Sequence, residues 1–265
     1  MARLGFAARL ASTTRCLVGT WIKIPALEPV EILADAGFDF IVIDQEHAPL
    51  TFEFVYQATV VAQGTGMSVL VRVPDRSGSH LQRLLDAGVD GILVPRVTSA
   101  AEAGAAVRQM LFSPGGDRGI GITSRAGRWG GTPRAEYLRF GDEEVMRAVQ
   151  LEERGAIEAA GEILDVAGLN GVFLGMGDLQ LSSGRPESDP EIQKLVDVFL
   201  SAARERGVPA GTAVQTAAQA QAAADRGYRY VMVSNDTSLL RSAAASVVAD
   251  LHHRSASDRS ASVGI

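Results

Sequence analysis

The sequence predicts a (β/α)8 barrel, a closed parallel barrel in which eight strands alternate with eight helices. Three observations predict it. Short, nearly continuous apolar runs are typical of strands buried on both faces of a parallel sheet, and amphipathic or alanine-rich stretches between them are typical of helices. The third observation is the number of residues over which these strands and helices alternate. Roughly 235 of the 265 residues follow the pattern, which agrees with the usual length of such barrels. An open, doubly wound parallel sheet is the alternative fold.

Four segments share one pattern, in which a helical stretch ends at a glycine and an apolar strand follows. Glycine enters the left-handed conformation that ends many helices without a Cβ clash. Helix, glycine and strand together make half of a βα repeat. The four segments are DAGFDFIVID (35–44), DAGVDGILVP (86–95), VAGLNGVFLG (166–175) and DRGYRYVMVS (225–234).

The remaining elements have weaker signals. The other strands are predicted at LVGTWI (17–22), SVLVRV (68–73), VMRAVQLE (145–152) and VPAGTAV (208–214). Helices are predicted over 27–36, 51–63, 78–87, 99–111, 153–165, 188–206, 215–226 and 237–251. We expect one domain over residues 1–253 with a short N-terminal extension, a Gly- and Arg-rich loop over 112–134 after the fourth strand, and a disordered tail over 254–265.

Composition excludes several classes of partner. A net charge of −6 argues against nucleic acid, because a phosphate-binding surface needs excess Lys and Arg. No apolar run reaches the roughly 18 residues that a membrane helix needs, and the N-terminal stretch lacks the apolar core of a signal peptide. The single cysteine, Cys16, cannot form an intramolecular disulfide. We therefore expect a soluble, cytoplasmic protein without membrane or nucleic-acid partners.

Polar side chains gather where the predicted strands end, which is the face on which barrel active sites lie. The second strand leads directly into Asp44, Glu46 and His47, and the third ends at Arg72. The residues at or directly after the ends of the first, fifth, sixth and eighth strands are Trp21, Gln150, Glu152, Gly175, Met176, Gly177, Asp178, Ser234, Asn235 and Asp236.

The residue types at these ends point to chemistry on an anionic substrate. Glu152 and Asp178 leave adjacent strands, an arrangement that suits a hard divalent cation such as magnesium better than zinc. Arg72 keeps its charge and suits an oxyanion or carboxylate. His47 suits general acid–base catalysis.

Each of these residues also has a structural interpretation. Asp178 alone could cap a helix, Glu152 could be a solvated acid in a first helical turn, and Arg72 could form an ion pair with Asp44 or Asp86. His47 could be an ordinary loop histidine, and Trp21 a packing residue. We favour a functional site because all of the charged types meet on one face.

These residues resemble the HpcH/HpaI family of class II, metal-dependent pyruvate aldolases. The resemblance covers roughly residues 17–250, and the combination of motifs, in order, makes it specific. It implies a (β/α)8 barrel that forms a homotrimer or homohexamer, with the eighth helix packed on a neighbouring subunit. The motifs are GTW (19–21), IDQEHAP (43–49), VRVP (71–74), LDAGVDGILVP (85–95), GGDRGIG (115–121), RAGRWG (125–130), QLE (150–152) and FLGMGDL (173–179).

The resemblance also implies roles for single residues. Glu152 and Asp178 would bind Mg²⁺ or Mn²⁺, with Co²⁺ as a further option, and Gln150 would lie close to the metal. Arg72 would contact the keto oxygen and stabilise an enolate. His47 would move protons, oriented by Asp44 or by Asp86, the latter from its own or a neighbouring subunit. The backbone N–H groups of Gly175, Met176, Gly177 and Asp178 would hold the pyruvyl carboxylate, and Trp21 would line the substrate pocket.

The chain departs from the family pattern around the pocket. Gly175-Met176-Gly177-Asp178 stands where Gly-Pro-x-Asp is usual, Pro95-Arg96-Val97 where Pro-Met-Val is usual, and Ser234-Asn235-Asp236 where Gly-Val-Asp is usual. The charged catalytic positions are all present, so these departures bear on the identity of the substrate.

The expected activity is that of a metal-dependent aldolase that cleaves or forms 4-hydroxy-2-oxo acids through a pyruvate enolate. Lys23 and Lys194 are the only lysines, and neither is expected to form a Schiff base. One alternative enzyme decarboxylates oxaloacetate and uses the resulting enolate to build carbon–carbon bonds, as relatives in secondary metabolism do. A catalytically silent barrel that serves as a scaffold is an alternative of another class.

Overall fold

Pairing between the first and last strands closes the sheet of this protein into a barrel of eight parallel strands in chain order. The computed structural model describes residues 4–261, with side chains for residues 4–251. The predicted barrel is confirmed, and the open sheet is excluded. The strands are β1 (Leu17–Ile22), β2 (Phe40–Asp44), β3 (Ser68–Arg72), β4 (Gly91–Val94), β5 (Met146–Leu151), β6 (Gly171–Leu174), β7 (Ala210–Val214) and β8 (Tyr230–Asn235).

The helices form the outer layer and match the predicted ones within a few residues at most ends, with three additions. The predicted helix over 153–165 is two short helices that meet at Ala159, and the sequence did not predict α1, α6 or α9. The helices are α1 (Phe6–Ala11), α2 (Glu28–Asp35), α3 (Phe52–Gly64), α4 (Gly78–Asp86), α5 (Ala100–Met110), α6 (Arg134–Arg139), α7 (Arg154–Glu158), α8 (Ala160–Leu164), α9 (Met176–Ser183), α10 (Pro190–Glu205), α11 (Ala217–Arg226) and α12 (Asp236–Ala261).

Local signals set several of the helix ends. The side chain of Thr51 accepts the N–H of Phe54 at the start of α3, and Thr216 and Gln219 form a reciprocal capping box on α11. The predicted helix–glycine–strand junctions are confirmed by positive φ angles at Gly37, Gly88, Gly168 and Gly227.

The C-terminal segment differs from the prediction. A disordered tail was expected from residue 254, whereas α12 continues to Ala261, and residues 262–265 lie outside the described residues. The serine-rich stretch contains neither glycine nor proline before Gly264, so nothing in it breaks a helix. Among the described residues, no helix combines the length and the apolar character needed to cross a membrane.

The N-terminal extension closes one end of the barrel. Phe6 of α1 is fully buried and packs against Phe40 at the start of β2 and Tyr230 at the start of β8, with ring centroids 4.8 and 5.9 Å apart. A Cβ at Gly19 or Gly211 would overlap the rings of Phe40 and Tyr230 respectively, so these glycines make room for the aromatic filling. The open mouth of the barrel is therefore at the carboxyl ends of the strands.

Candidate active site

A cavity of about 470 Å³ opens at the carboxyl ends of the strands, where the sequence placed the site. It is lined from several strands at once. Trp21 and Lys23 come from the end of β1, Arg72 from β3 and Gln150 from β5. The segment Gly175–Asp178 and the pair Ser234 and Asn235 also line it, after β6 and at the end of β8.

Asp44 is the buried anchor of the β1–β3 side of the mouth. It is the last residue of β2 and has no exposed surface. Its carboxylate accepts hydrogen bonds from Arg72 Nε at 3.0 Å and Nη2 at 2.8 Å, from Lys23 Nζ at 2.5 Å, and from the backbone N–H groups of Glu46 and His47 at 3.2 Å each. Burial by itself would raise the pKa of Asp44, but the hydrogen bonds and charges of Arg72 and then Lys23 hold this pKa at about 2.

Arg72 is held rigidly across the cavity. Asp44 occupies the fork of its guanidinium group, Glu46 Oε2 lies 3.3 Å from Nη1, and the guanidinium carbon lies 4.3 Å from the centre of the Trp21 ring. The ion pair with Asp44 considered at the sequence level is therefore present. It exists together with a place in the cavity lining, so Arg72 presents a fixed positive charge to whatever the cavity holds.

His47 lies on an exposed turn beyond Asp44. Its side chain is 58% exposed, and Nε2 lies 3.7 Å from Glu46 Oε2. Asp44 contacts the backbone of His47 and directs its carboxylate oxygens at Arg72 and Lys23. The acid beside the imidazole is thus Glu46, and the expected orientation of the ring by Asp44 is not what this chain shows.

Asp86 lies at the opposite end of the barrel in its own chain. It ends α4, which runs back toward the amino ends of the strands, and its Oδ1 pairs with Arg118 Nη2 at 3.0 Å. The backbone carbonyl of Asp86 accepts the N–H of Ala126 in the RAGRWG segment, so this motif also lies at that end. Within one chain, Asp86 and His47 are therefore not brought together.

Glu152 and Gln150 form a buried acid–amide pair at the end of β5. Gln150 Nε2 donates to Glu152 Oε2, and the two residues are 2% and 5% exposed. Burial raises the pKa of Glu152 to about 7; the Gln150 hydrogen bond opposes the increase, and the nearby carboxylates of Asp178 and Glu46 add to it. The charge of Arg72 lowers this pKa only slightly and does not offset the effect of burial.

These residues fit a divalent cation. Gln150 Oε1 is buried and accepts no hydrogen bond, so an unused oxygen ligand lies beside Glu152, and Asp178 supplies a second carboxylate close enough to raise the pKa of Glu152. Among the residues that the structure describes, no cluster of three or more Asp, Glu, His or Cys side chains is suited to a metal ion. Few ligands, all of them oxygens, are typical of magnesium and manganese sites that leave positions for substrate.

The segment after β6 closes over this pair. A Cβ at Gly175 would lie 2.6 Å from Glu152 Cβ and 2.9 Å from Gln150 Nε2, so only glycine allows the close approach. The N–H of Gly175 donates to Leu151 O at 2.9 Å, and it is therefore not free for a substrate carboxylate as was expected. The N–H groups of Met176, Gly177 and Asp178 form the first turn of α9, where no carbonyl of the helix can accept them.

Comparison with known proteins supports the same chemistry. The HpcH/HpaI aldolase/citrate lyase family model matches residues 18–243. The chain belongs to this family. It is 37% identical to a 4-hydroxy-2-oxovalerate aldolase of Rhodococcus jostii over 85% of this chain and 88% of that one, and 34% identical to a 4-hydroxy-2-oxo-heptane-1,7-dioate aldolase of Escherichia coli over 88% and 89%.

A solved HpcH/HpaI aldolase from Desulfitobacterium hafniense DCB-2 has the same fold, with a TM-score of 0.88 at 30% identity over 94% of this chain and 96% of that one. The family named at the sequence level is thus confirmed, and with it the expectation that the chain is an aldolase, a lyase that acts on a carbon–carbon bond.

Two cationic residues of this HpcH/HpaI chain make contacts at the cavity that the motifs did not predict. Lys23, which was not expected to form a Schiff base, lines the cavity and pairs with Asp44. It lies two residues beyond Trp21 in an extended segment, and this spacing puts both side chains on one face. Arg96, which stands where the family usually has methionine, adopts a left-handed φ of 54° and lies 3.3 Å from Glu46.

Proposed function

We propose that this protein is a divalent-metal-dependent aldolase that cleaves or forms 4-hydroxy-2-oxo acids through a pyruvate enolate. The observation that carries the proposal is the arrangement of Glu152, Gln150 and Asp178 as an oxygen ligand set at the same cavity as the fixed cation of Arg72. A metal site beside a buried guanidinium suits a reaction in which negative charge develops on a substrate oxygen.

Glu152 and Asp178 would hold Mg²⁺, Mn²⁺ or Co²⁺, with Gln150 Oε1 as a third oxygen close to the ion. When bound, the cation would act as a Lewis acid on the 2-oxo carbonyl of the substrate. The pyruvyl carboxylate would lie at the first turn of α9, where the N–H groups of Met176, Gly177 and Asp178 and the positive end of the helix favour an anion.

Arg72 would stabilise the enolate oxygen through its charge and the N–H bonds that Asp44 leaves unused. Its position is supported by the buried carboxylate of Asp44 on one side and by the Trp21 ring beneath it. Because the guanidinium is preorganised before the substrate arrives, little of its stabilising effect is lost in reorientation during the reaction.

His47 would accept the proton of the 4-hydroxyl group in cleavage, directly or through a water molecule, and return it in condensation. Its side chain is 58% exposed, and the Glu46 carboxylate lies 3.7 Å from its Nε2. If Asp86 assists His47, it must come from another subunit, because within one chain the two lie at opposite ends of the barrel.

A homotrimer or homohexamer is the assembly that we propose, with α12 packed on a neighbouring subunit. The apolar side chains of α12 are open to solvent in the single chain, which supports burial against another copy. They are Leu239, Leu240, Val247, Val248 and Leu251, all between 41% and 63% exposed. Light scattering of the purified protein would check the mass. With its free Cys16, the enzyme suits the cytoplasm, where we place it.

The function is tested by two assays of the purified protein. Loss of the methyl protons of pyruvate to D2O, followed by NMR, reports enolate formation, and pyruvate release from 4-hydroxy-2-oxovalerate reports cleavage. Both should require Mg²⁺, Mn²⁺ or Co²⁺, stop with excess EDTA and be lost in Glu152→Gln, because a neutral amide binds hard cations poorly. Full activity in EDTA after dialysis would refute the metal-dependent mechanism.

A further inference from the structure

Arg96 reaches from the end of β4 across the end of β3 to the turn after β2. Its side chain is 63% exposed, yet two of its nitrogens have partners: Nη2 donates to Pro74 O at 3.0 Å, and Nε lies 3.3 Å from Glu46 Oε1. The backbone of Arg96 has a left-handed φ of 54°, which a residue with a side chain adopts only at a cost in free energy. Strain of this kind at the mouth of a site can mark a functional constraint.

Glu46 connects Arg96 to two groups of the proposed reaction. Its side chain is 9% exposed, and its two oxygens face different partners. Oε1 lies against Arg96, whereas Oε2 lies 3.3 Å from Arg72 Nη1 and 3.7 Å from His47 Nε2. Because the carboxylate is held from both sides, the position of Oε2 depends on the contact that Arg96 makes with Oε1.

Arg72 and His47 depend on Glu46 to different degrees. Asp44 accepts two N–H groups of Arg72, and the Trp21 ring lies against the guanidinium, so Arg72 stays in place when Glu46 moves. The side chain of His47 is 58% exposed, and among the residues that the structure describes the one polar contact of its ring is with Glu46. The orientation of the imidazole is therefore the property that is most sensitive to the position of Glu46.

We propose that Arg96 is a positioning residue, which fixes Glu46 against His47 and so holds the imidazole in the orientation for proton transfer with the 4-hydroxyl group. The inference rests on the proposed aldolase reaction. In cleavage, the hydroxyl proton passes to His47 as the bond between C3 and C4 breaks, and the electron pair of that bond passes into the enolate. Arg96 makes and breaks no bond and acts through Glu46.

Loss of Arg96 should therefore slow proton transfer and leave substrate binding unchanged. Decarboxylation of oxaloacetate forms the same enolate without taking a proton from a hydroxyl group, so its rate should hardly change. The substrate for cleavage is 4-hydroxy-2-oxovalerate, whose distal end is an uncharged methyl group. With this substrate, the charge of Arg96 has no distal anion on which to act.

The experiment measures kcat and KM of Arg96→Met for both reactions. The kcat for cleavage should fall by roughly 3- to 10-fold, in the lower part of the range for coupled neighbours because Arg96 is largely exposed. The KM for cleavage and the rate of decarboxylation should stay within about 2-fold of wild type. Arg96→Lys keeps the charge without the planar fork and should recover part of the lost kcat. Arg76→Met is the control and should match wild type, because Arg76 is also exposed and pairs with Glu102 on α5.

A double-mutant cycle separates the route through Glu46 from any other effect of Arg96. Glu46→Gln removes the ion pair, so adding Arg96→Met in that background should lower the kcat for cleavage by less than about 2-fold. An equal fall in the two reactions of Arg96→Met, an unchanged kcat for cleavage, or a full effect in the Glu46→Gln background would overturn the role of Arg96. An enzyme that does not exchange the methyl protons of pyruvate would instead contradict the proposed aldolase function itself.

Discussion

Replacing Gly175 with alanine should disable the proposed metal site while leaving the barrel folded. The added Cβ would lie 2.6 Å from Glu152 Cβ and 2.9 Å from both Glu152 Oε2 and Gln150 Nε2. Ordinary van der Waals contact begins near 3.4 Å, so Glu152 would have to move by the difference, about 0.8 Å. Metal–ligand distances tolerate only about 0.2 Å, so the carboxylate would leave its ligand position.

Two quantities follow from this displacement. Crowding a packed position typically costs about 1–3 kcal/mol of unfolding free energy, which urea denaturation in the presence of EDTA would measure. Affinity for Mn²⁺ should fall by at least about 10- to 100-fold, the loss seen when the support of a metal ligand is disturbed. Electron paramagnetic resonance of free Mn²⁺ during a titration measures this affinity without any need for activity.

Gly155 provides the matched control. It lies in α7, three residues after Glu152, and a Cβ there would meet nothing within 4 Å. Gly155→Ala should therefore bind Mn²⁺ like wild type and gain up to about 1 kcal/mol from its higher helix propensity. If Gly175→Ala also bound Mn²⁺ like wild type, the assignment of Glu152 as a metal ligand would be refuted.

Three further predictions follow from the structure. His47→Ala should lower the rate of aldol cleavage by about 10²–10⁴-fold. The rate of oxaloacetate decarboxylation should fall much less, because that reaction forms the enolate without deprotonating a hydroxyl. Equal losses of rate in the two reactions, each followed by its own pyruvate assay, would show that His47 only organises the site. Phe6→Ala should cost about 3–5 kcal/mol in urea unfolding, because the ring is fully buried against Phe40; an unchanged urea midpoint would show that α1 does not close the barrel. The pKa of Asp44 is lowered from 3.8 to about 2, so its stabilising effect is complete above pH 3.8 and is lost as the pH falls toward 2. It amounts to about 2 kcal/mol, and Asp44→Asn should flatten the dependence of unfolding free energy on pH below 4, whereas equal slopes in both proteins would contradict the assigned pairing.

The strands were predictable because their signals are local. A buried parallel strand is a short apolar run, and the glycine before it marks the end of the preceding helix; both features hold at Gly37 and β2, and at Gly227 and β8. The short helices α1 and α9 were missed for the opposite reason. The apolar side chains of α1 are explained only by the rings inside the barrel that they cover, and α9 is too short for a helical period to stand out.

The ends of the strands were also predictable, but the pairing of side chains across them was not. Sequence proximity suggested that Asp44 would orient His47, three residues away. A carboxylate offers about four lone-pair positions, and in the folded chain Arg72, Lys23 and two backbone N–H groups fill them. Lys23 and Arg72 reach Asp44 because β1, β2 and β3 are neighbours in the barrel, with Asp44 opposite Arg72 in the register. Strand adjacency, which the fold predicts, is thus a better guide to the partners of a strand-end carboxylate than distance along the chain. Applied to Trp21, whose register partner is Asn235, the same rule correctly predicts that the two residues line the cavity together.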